Sequence, residues 1–326
     1  MKRVQLSCLV AMLLGISIFW IPPDARSQSF PNRLIKLVVA YGPGGGNDIL
    51  ARLLAQALSP NLGQPVVVEN KPGASGNIGS EMVAKSAPDG YTLLMATNGL
   101  TINPFIYKKV GVDVAKDLTG VAMVATAPII LVTHPSVPFR TVDELIAYAK
   151  RNPGKLNFGS PGIGTPQHLA TELFMSMTGT KMVHVPYKVG ANATSELIAG
   201  QVDLMFAALI SSLPHVKAGR LRAIAVGGSR RVSSVKELPT IDEAGVRGYE
   251  VGVWYGILAP ANTPTGIVAR INREVAKVVA MPEIIERMRA QGFESAISTP
   301  EEMNATIRSD LDKWRAVVKS AGIAPE

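Results

Sequence analysis

The sequence predicts an α/β protein with two domains and largely parallel sheets. Short segments rich in β-branched residues alternate along the chain with segments of helical periodicity, which is the pattern of α/β architecture. Several junctions between a predicted strand and the following helix are rich in glycine. The chain has 326 residues, and a length of roughly 300 exceeds what one hydrophobic core usually supports. Together these observations favour two α/β domains over one.

The N-terminus has the order of a secretory signal. A basic start, an apolar run at 8–21 and two small residues, Ala25 and Ser27, follow one another, and we predict cleavage after Ser27. The run is shorter than the roughly 20 residues of a spanning helix, so a retained membrane anchor is the less favoured alternative. Cleavage there removes Cys8, the only cysteine, which leaves no disulfide and no thiolate metal ligand. We expect an exported protein from which residues 1–27 are removed.

The first predicted domain begins with a strand at 35–40, which leads through a glycine-rich loop into a helix. Predicted strands at 66–69 and 92–96 follow, each after a turn-rich segment. The apolar residues of the helix fall on one face at helical spacing; they are Ile49, Leu50, Leu53, Leu54, Ala57 and Leu58.

The second predicted domain begins near a strand at 129–132. Thr141 and Glu144 form a capping box for the helix that follows. Two crossings between the domains are predicted at 126–128 and 249–255, and such a pair would form a hinge. The alternation continues with strands at 156–158, 183–185 and 221–226 and with helices from Thr165 and from about Ala193.

Two further helices are predicted near the C-terminus, at about 266–280 and 300–320. Each is preceded by a threonine–proline pair, at 263–264 and 299–300, which combines an N-cap residue with proline in the first turn. Both helices have mixed apolar and charged faces, so we expect them to pack on the outside of a domain.

The charge balance favours acidic small ligands over nucleic acid. The formal net charge is +8 at pH 7, and a positive balance is typical of proteins that meet nucleic acid, anionic membranes or acidic molecules. The basic residues are scattered and do not form a stripe interleaved with aromatic residues, as a nucleic-acid interface would. We therefore expect no nucleic-acid partner.

The first strand-to-helix loop, 41–48, has the sequence YGPGGGND. Its three consecutive glycines lack the Cβ that keeps a ligand away from the backbone, and Asn47 or Asp48 is predicted to cap the helix. Free N–H groups at the start of such a helix attract carboxylate or phosphate. The spacing matches neither a P-loop nor a dinucleotide fingerprint. The segment is either an anion-binding loop or a flexible turn.

A second loop of the same kind, 158–168, has the sequence FGSPGIGTPQH. Thr165 is predicted to cap the following helix, and Ser160, Thr165 and the free N–H groups suit an oxygen-rich ligand. A nucleophile elbow needs glycine two residues before the serine, where this chain has Phe158. Ser160 is therefore not predicted to be a nucleophile. His168 either donates a hydrogen bond to the ligand or is a structural histidine.

Two more glycine-containing segments adjoin predicted helices. At 184–192 the sequence HVPYKVGAN joins a strand to a helix, and Gly190 and Ala191 are small enough for close approach of a ligand. Lys188 is either a charge partner for an anion or a solvated surface residue. The segment 73–79, GASGNIG, is either a ligand contact or a plain loop.

The sequence contains no motif for catalysis or metal binding. No pattern assigns an acid–base pair, and Trp254 either lines a cleft or packs in the core. We therefore predict no catalytic residue, no metal and no cofactor, which leaves a binding protein as the favoured class. The histidines lack the pairwise spacing of metal ligands; they are His134, His168, His184 and His215.

Several segments in a fixed order carry a family resemblance. They are YGPGGGNDILARLLA at 41–55, VVENKPGASGNIG at 67–79, DGYTLLMAT at 89–97, PGKLNFGSPGIGTPQHLATELF at 153–174, HVPYK at 184–188, GQVDLMF at 200–206, WYGILAPANTP at 254–264 and DKWRAVVKSAGI at 312–323. They resemble the periplasmic solute-binding proteins of tripartite tricarboxylate transporters, the Bug family. The resemblance covers essentially the whole mature chain.

The resemblance implies a two-lobed Venus flytrap fold, with lobe 1 at 28–129 plus 252–326 and lobe 2 at 130–251. It also implies that backbone N–H groups and ordered water hold a ligand carboxylate between the first loop and the facing loop of lobe 2. The expected protein is a periplasmic monomer that delivers a small organic acid to integral membrane permease subunits; presentation of the acid to a signalling receptor is the alternative. The predicted ligand-binding residues are Tyr41, Gly44, Gly45, Asn47, Asp48, Asn77, Ser160, Gly164, Thr165, His168, Tyr187, Gly190 and Ala191.

The chain departs from the family pattern after the Tyr187-Lys188 pair. The family commonly has glycine next and proline two or three residues later, where this sequence has Val189 and Asn192. Val189 adds bulk and restricts φ, and Asn192 offers new hydrogen bonds. The identity of the ligand is therefore not carried over from relatives.

Overall fold

The computed structural model describes residues 30–187 and 190–325, without the side chains of Gly190 and Ala191. The predicted signal peptide at 1–27, with its cleavage after Ser27, lies outside the described residues, as do Lys188 and Val189. Residues Arg33–Glu326 form one compact unit. All the strands and helices named below belong to this unit.

Strands and helices alternate along the described chain, which confirms the predicted α/β class. The strands are β1 (Ile35–Val39), β2 (Val66–Asn70), β3 (Thr92–Thr97), β4 (Leu118–Ala127), β5 (Ile129–Thr133), β6 (Asn157–Ser160), β7 (Val183–Pro186), β8 (Leu204–Ala208), β9 (Arg222–Val226), β10 (Val253–Pro260) and β11 (Glu294–Ser295). The helices are α1 (Gly46–Leu62), α2 (Asn77–Ala84), α3 (Gly99–Ile106), α4 (Val114–Asp117), α5 (Val142–Arg151), α6 (Pro166–Thr178), α7 (Gly190–Ile198), α8 (Leu209–Lys217), α9 (Thr265–Val279), α10 (Pro282–Ala290) and α11 (Pro300–Ser320). Within the described residues, no helix is long and apolar enough to span a bilayer.

The strands form two mixed sheets flanked by helices. The first has the order β11-β4-β10-β3-β1-β2; β2, β1 and β3 are parallel, and β10 is antiparallel to its neighbours. The second has the order β7-β6-β8-β5-β9; β7, β6 and β8 are parallel, and β5 is antiparallel to its neighbours. Parallel strands end at a common edge, so the loops after β1, β2 and β3 meet at one edge and those after β6, β7 and β8 at another.

Two short crossings join the sheets. β4 of the first sheet is followed directly after Pro128 by β5 of the second. The chain returns near Gly252, because Val251 N–H donates to the carbonyl of Gly227 at 2.8 Å while Val253 already pairs with β4. We call the parts around the first and second sheets lobe 1 and lobe 2. The lobe limits at 129/130 and 251/252 stay a prediction.

The last helix, α11, contacts both lobes. Thr299 accepts the N–H of Glu302 at 3.2 Å, as its predicted N-cap role requires. Met303, near the start of the helix, belongs to the apolar core of lobe 1, whereas Trp314 and Val318, near its end, pack in the core of lobe 2. The helix therefore bridges the lobes instead of covering the outside of one, a difference that the periodicity of its sequence does not reveal.

A buried polar contact ties α11 to β10. The indole N–H of Trp254 donates to Asp310 Oδ2 at 2.7 Å, and Lys313 Nζ lies 2.8 Å from Asp310 Oδ1. Asp310 is 5% exposed and Trp254 is 6% exposed. Of the two roles that the sequence leaves open for Trp254, the structure supports core packing.

Replacing Asp310 by alanine is expected to lower the free energy of unfolding by about 2–4 kcal/mol. The change leaves the indole N–H of Trp254 buried without its acceptor and removes charged hydrogen bonds. Asp312→Ala, which removes a carboxylate with 77% side-chain exposure on the same helix, is expected to cost less than about 0.5 kcal/mol. Urea unfolding of both variants measures the difference, and equal losses would contradict a role for the Trp254–Asp310 contact.

Candidate functional site

The first part of the site is the loop between β1 and α1. Gly44 has φ of +82°, a left-handed conformation that favours glycine, and Gly45 is the N-cap residue of α1. No described side chain caps this helix, so the expectation that Asn47 or Asp48 caps it is wrong. The first N–H groups of α1 thus keep the capacity to bind an anion.

The carboxylate of Asp48 holds this loop in place. It accepts hydrogen bonds from Gly44 N–H and Asn70 Nδ2, both at 2.9 Å, and from Arg52 at 2.9 and 3.0 Å. The hydrogen bond from Arg52 is the main cause that lowers the pKa of Asp48 to about 2. Asp48 is 4% exposed, and its carboxylate is hydrogen-bonded within the protein. A direct contact between Asp48 and a ligand stays a prediction.

The end of β3 lies beside the same loop. Because β3 pairs with β1, Thr97 lies close to Tyr41, and their hydroxyl oxygens are 3.5 Å apart. Gly99 N–H donates to Thr97 Oγ1 at 3.2 Å, where α3 begins. Sequence reasoning missed Thr97 and Gly99 as site residues, because it treated each strand end separately. The parallel pairing of neighbouring βα units was the signal that could have found them.

A tyrosine from the C-terminal half of the chain also reaches the loop. The hydroxyl of Tyr255, on β10, lies 3.1 Å from the position a Cβ would take on Gly46. Burial, with a smaller contribution from Tyr41, raises the pKa of Tyr255 to about 12. The hydroxyl therefore stays protonated and can donate a hydrogen bond at the start of α1. No local sequence signal connects Tyr255 with this loop.

Three buried asparagines stand at the starts of the helices that follow the parallel strands. Asn47 lies in the first turn of α1, Asn77 begins α2, and Asn98 precedes α3. Among the described residues, Asn47 Oδ1, Asn77 Nδ2 and Asn98 Oδ1 have no hydrogen-bond partner. Buried polar atoms of this kind usually pair with a ligand or with ordered water. The three asparagines therefore offer unused donor and acceptor atoms at this edge of the first sheet.

The second part of the site is the loop between β6 and α6. Thr165 Oγ1 accepts the N–H of His168 at 3.3 Å, which confirms the predicted cap, and donates to the carbonyl of Gly162 at 2.8 Å. Ser160 is fully buried; its hydroxyl lies 3.1 Å from both the N–H and the carbonyl of Gly162. The hydroxyls of Ser160 and Thr165 therefore stabilise the loop through their contacts with the backbone of Gly162.

Two histidines and a phenylalanine stack beneath this loop. The rings of His168 and His184 lie 3.9 Å apart at 12°, and Phe158 stacks on His184 at 4.8 Å. His168 Nδ1 accepts the N–H of Gly164 at 3.1 Å, so its other nitrogen carries the proton that faces Glu172. His184 Nε2 lies 2.7 Å from the Ser160 hydroxyl. The imidazole of His168 thus supports the loop, and its contact with a ligand stays a prediction.

Protein stability is expected to fall as the pH drops from about 6.5 to about 4. Burial, followed by the proximity of His168, lowers the pKa of His184 to about 4. In this range the unfolded chain binds a proton at residue 184 that the folded chain does not, so acid favours unfolding, by at most about 1.4 kcal/mol per pH unit. Urea unfolding at several pH values measures the slope. His184→Gln should flatten it, and a control change, His134→Gln, should not.

The remaining predicted residues follow β7. Tyr187 N–H donates to the carbonyl of Ser160 at 2.9 Å, and its ring lies 3.6 Å from the position a Cβ would take on Gly159. Burial raises the pKa of Tyr187. The structure thus brings Tyr187 together with Ser160, Gly164, Thr165 and His168. Gly190 begins α7, and the ligand contacts expected of Gly190 and Ala191 stay predictions.

The loops of the two lobes approach each other. A Cβ on Gly164 of lobe 2 would stand 2.8 Å from Ile106 Cγ2 at the end of α3 in lobe 1. On the other side, Gly292 of lobe 1 contacts Ile210 of lobe 2, and the next residue, Phe293, packs beside Gly46. These contacts bring the β1–α1 loop and the β6–α6 loop to the same interface between the lobes. Among the described residues, no group of His, Cys, Asp and Glu is arranged to hold a metal ion.

Comparison with known proteins agrees with this geometry. The profile of the TctC family, described as the tripartite tricarboxylate transporter family receptor, matches residues 50–323. The protein BugT of Bordetella pertussis is 34% identical over 328 residues, which cover 99% of each chain. The solved structure of R. palustris Rpa4515 with adipate is 39% identical, with a TM-score of 0.75 and coverage of 91% of this chain and 100% of that one. MatC of Rhodopseudomonas palustris with bound malate is 29% identical, with a TM-score of 0.70 and coverage of 89% and 100%.

The two sheets, the paired crossings and the facing loops define a two-lobed solute-binding protein of the Venus flytrap type. This confirms the fold that the resemblance implies. The chain belongs to the tripartite tricarboxylate transporter receptor family, which includes the Bug proteins. Membership in this family of periplasmic receptors indicates the periplasm as its compartment.

Proposed function

We propose that this protein captures a small carboxylate-bearing organic molecule between its lobes and delivers it to a tripartite tricarboxylate-type membrane transporter. The start of α1, which has no side-chain cap and follows two glycines that lack Cβ atoms, Gly44 and Gly45, is the observation that carries the proposal. Its free N–H groups and the helix dipole favour a carboxylate. The adipate and malate bound to the relatives support the same ligand class.

In this proposal, backbone N–H groups and ordered water molecules bind the carboxylate of the ligand. Gly45, Asn47 and Asn77 act from lobe 1, with Tyr41, Gly44 and Asp48 shaping the loop, and lobe 2 contributes the β6–α6 loop and the Tyr187–Ala191 junction. A ligand that touches both lobes binds the closed form better than the open form, and so drives closure of a monomer about the two crossings. Because backbone N–H groups take their positions from the loop, binding in this proposal is sensitive to loop geometry.

The ligand class is tested with pairs of acids and their neutral amides. Adipate, malate and citrate are compared with adipamide, malamide and citramide by thermal shift and calorimetry. A ligand at 100 times its Kd stabilises the folded state by about 2.7 kcal/mol, so at least one acid should raise the melting temperature while its amide does not. Equal shifts with acids and amides, or none with any acid, would contradict carboxylate capture.

Delivery is tested by uptake of the best-binding acid in cells. A strain that lacks this gene is expected to lose uptake of the labelled acid, and the wild-type gene should restore it. A variant that no longer binds the acid should not restore it. Normal uptake in the deleted strain, combined with loss of a transcriptional response to the acid, would instead favour the role of a ligand sensor.

A further inference from the structure

The hydroxyl of Tyr255, on β10, has no hydrogen-bond partner among the described residues. Tyr255 is partly buried, and its hydroxyl oxygen is not one of the polar atoms that lack both a partner and contact with solvent. The oxygen is therefore open to a space that water or a ligand can enter. A phenol that is mostly buried and yet unpaired on its open side is a donor in search of an acceptor.

The neighbouring hydroxyls at this edge of the first sheet are engaged within lobe 1. The hydroxyl of Tyr41 lies 3.5 Å from Thr97 Oγ1, and a Cβ on Gly99 or on Gly76 would stand 2.8 or 3.2 Å from it. Thr97 Oγ1 in turn accepts the N–H of Gly99 at 3.2 Å. Of the three hydroxyls at the ends of β1, β3 and β10, only that of Tyr255 is without a described partner.

The hydroxyl oxygen of Tyr255 lies beside the first N–H group of α1. It is 3.1 Å from the position a Cβ would take on Gly46, and a Cβ lies about 2.5 Å from the nitrogen of its own residue. The hydroxyl oxygen and the Gly46 nitrogen are therefore at most about 5.6 Å apart. Each donor needs an acceptor at about 2.7–3.2 Å, so the two oxygens of one carboxylate can reach both.

The ring of Tyr255 is fixed in this position. It packs edge-on against Phe293, with centroids 5.1 Å apart at 84°, and Phe293 is 5% exposed. The backbone of Tyr255 pairs with Thr97 of β3. Because the pKa of Tyr255 is raised to about 12, the phenol is neutral at pH 7 and does not repel an anion. It therefore binds an acceptor at little cost in side-chain ordering.

We propose that Tyr255 is a ligand-binding residue whose hydroxyl donates a hydrogen bond to the carboxylate held at the start of α1. This inference rests on the proposed function, because it assumes that a carboxylate binds there. It goes beyond that function by adding a side-chain donor from the far end of the chain to the backbone N–H groups. A hydrogen bond to an ionised acceptor is stronger than one to a neutral acceptor, so Tyr255 contributes to the preference for acids.

Tyr255→Phe, which removes only the hydroxyl group, tests the assignment. Calorimetry with succinate, adipate, malate and citrate compares the variant with the wild-type protein. Every acid that binds the wild-type protein should bind the variant about 10- to 100-fold more weakly, which is the effect of one hydrogen bond to a charged group. Urea unfolding without ligand should show equal or higher stability, because the hydroxyl makes no hydrogen bond within the described protein.

Two other tyrosines of lobe 2 supply matched controls. Tyr148→Phe removes a hydroxyl that also has no described partner, from α5 and away from both loops, and should change neither affinity nor stability. Tyr249→Phe removes a buried hydroxyl that donates to the carbonyl of Ala170 at 2.9 Å. It should lower stability and leave affinity unchanged, which is the reverse of the result expected for Tyr255→Phe.

The outcomes separate this inference from the function beneath it. Wild-type affinity in Tyr255→Phe, or a loss of affinity that accompanies a loss of stability, would overturn the role of Tyr255 while leaving carboxylate capture intact. A loss confined to malate and citrate, which carry a hydroxyl group, with none for succinate or adipate would overturn the assignment to the carboxylate. Failure of every acid to bind the wild-type protein would overturn the proposed function itself.

Discussion

Asp48→Ala is expected to weaken binding of the acid about 10- to 100-fold while the protein stays folded. The carboxylate of Asp48 holds Gly44, Asn70 and Arg52 together at 2.9–3.0 Å. Charged hydrogen bonds of this kind contribute about 1.5–3 kcal/mol each, and losing one or two of them frees the loop whose N–H groups meet the ligand. The loop must then be ordered at the moment of binding, which costs affinity.

Calorimetry with the best-binding acid measures this loss, and urea unfolding shows whether the fold is retained. The matched control is Glu286→Ala, which removes an acid from a surface ion pair with Arg289; the carboxylate of Glu286 is 69% exposed. That change should leave affinity within error, because surface pairs contribute little. Wild-type affinity in Asp48→Ala would mean that the β1–α1 loop keeps its shape without the carboxylate.

Gly164→Ala is expected to weaken ligand binding about 10-fold or more by obstructing the contact between the lobes. The added Cβ would stand 2.8 Å from Cγ2 of Ile106, and Ile106 is 3% exposed within a packed core. The side chain of Ile106 has little room to move, so the arrangement in which Gly164 packs against Ile106 is disfavoured. A ligand that needs both lobes then loses part of the free energy that drives closure.

The control for Gly164→Ala is Gly154→Ala, also in lobe 2. The two glycines have nearly equal φ angles, +72° and +74°, so both alanines carry a similar backbone strain of about 1–2 kcal/mol. A Cβ on Gly154 has no atom within 4 Å, and this variant should lose some stability but no affinity. Ile106→Ala combined with Gly164→Ala should recover affinity. Equal affinities of the two glycine variants would contradict the proposed obstruction.

Local features of the site were predictable from the sequence because they depend on neighbours in the chain. Thr165 caps α6 because its hydroxyl accepts the N–H of His168, only three residues later in the chain. Such a contact does not depend on distant segments. The same holds for Thr141 and Thr299, which cap α5 and α11. The glycine loops after β1 and β6 follow from the order strand, glycines, helix, and the structure retains both.

Other site features depend on strand order, which no local pattern contains. Thr97 reaches Tyr41 because β3 pairs with β1, although 56 positions separate the residues. Tyr255 reaches Gly46 because β10 enters the first sheet from the far end of the chain. The prediction that Asn47 or Asp48 caps α1 failed for a related reason. Aspartate commonly caps helices, but the carboxylate of Asp48 is hydrogen-bonded to Arg52 and Asn70 instead.

The sequence by itself determined the α/β class, the two glycine loops and the family, because periodicity, local caps and collinear motifs are properties of neighbouring residues. Only the tertiary structure decided that α11 joins the cores of both lobes, and that the carboxylate of Asp48 is engaged by Arg52 and Asn70. It also decided that His168 stacks on His184 beneath the second loop. Burial and charge pairing are shared between distant segments, so these contacts exist only once the sheets have formed.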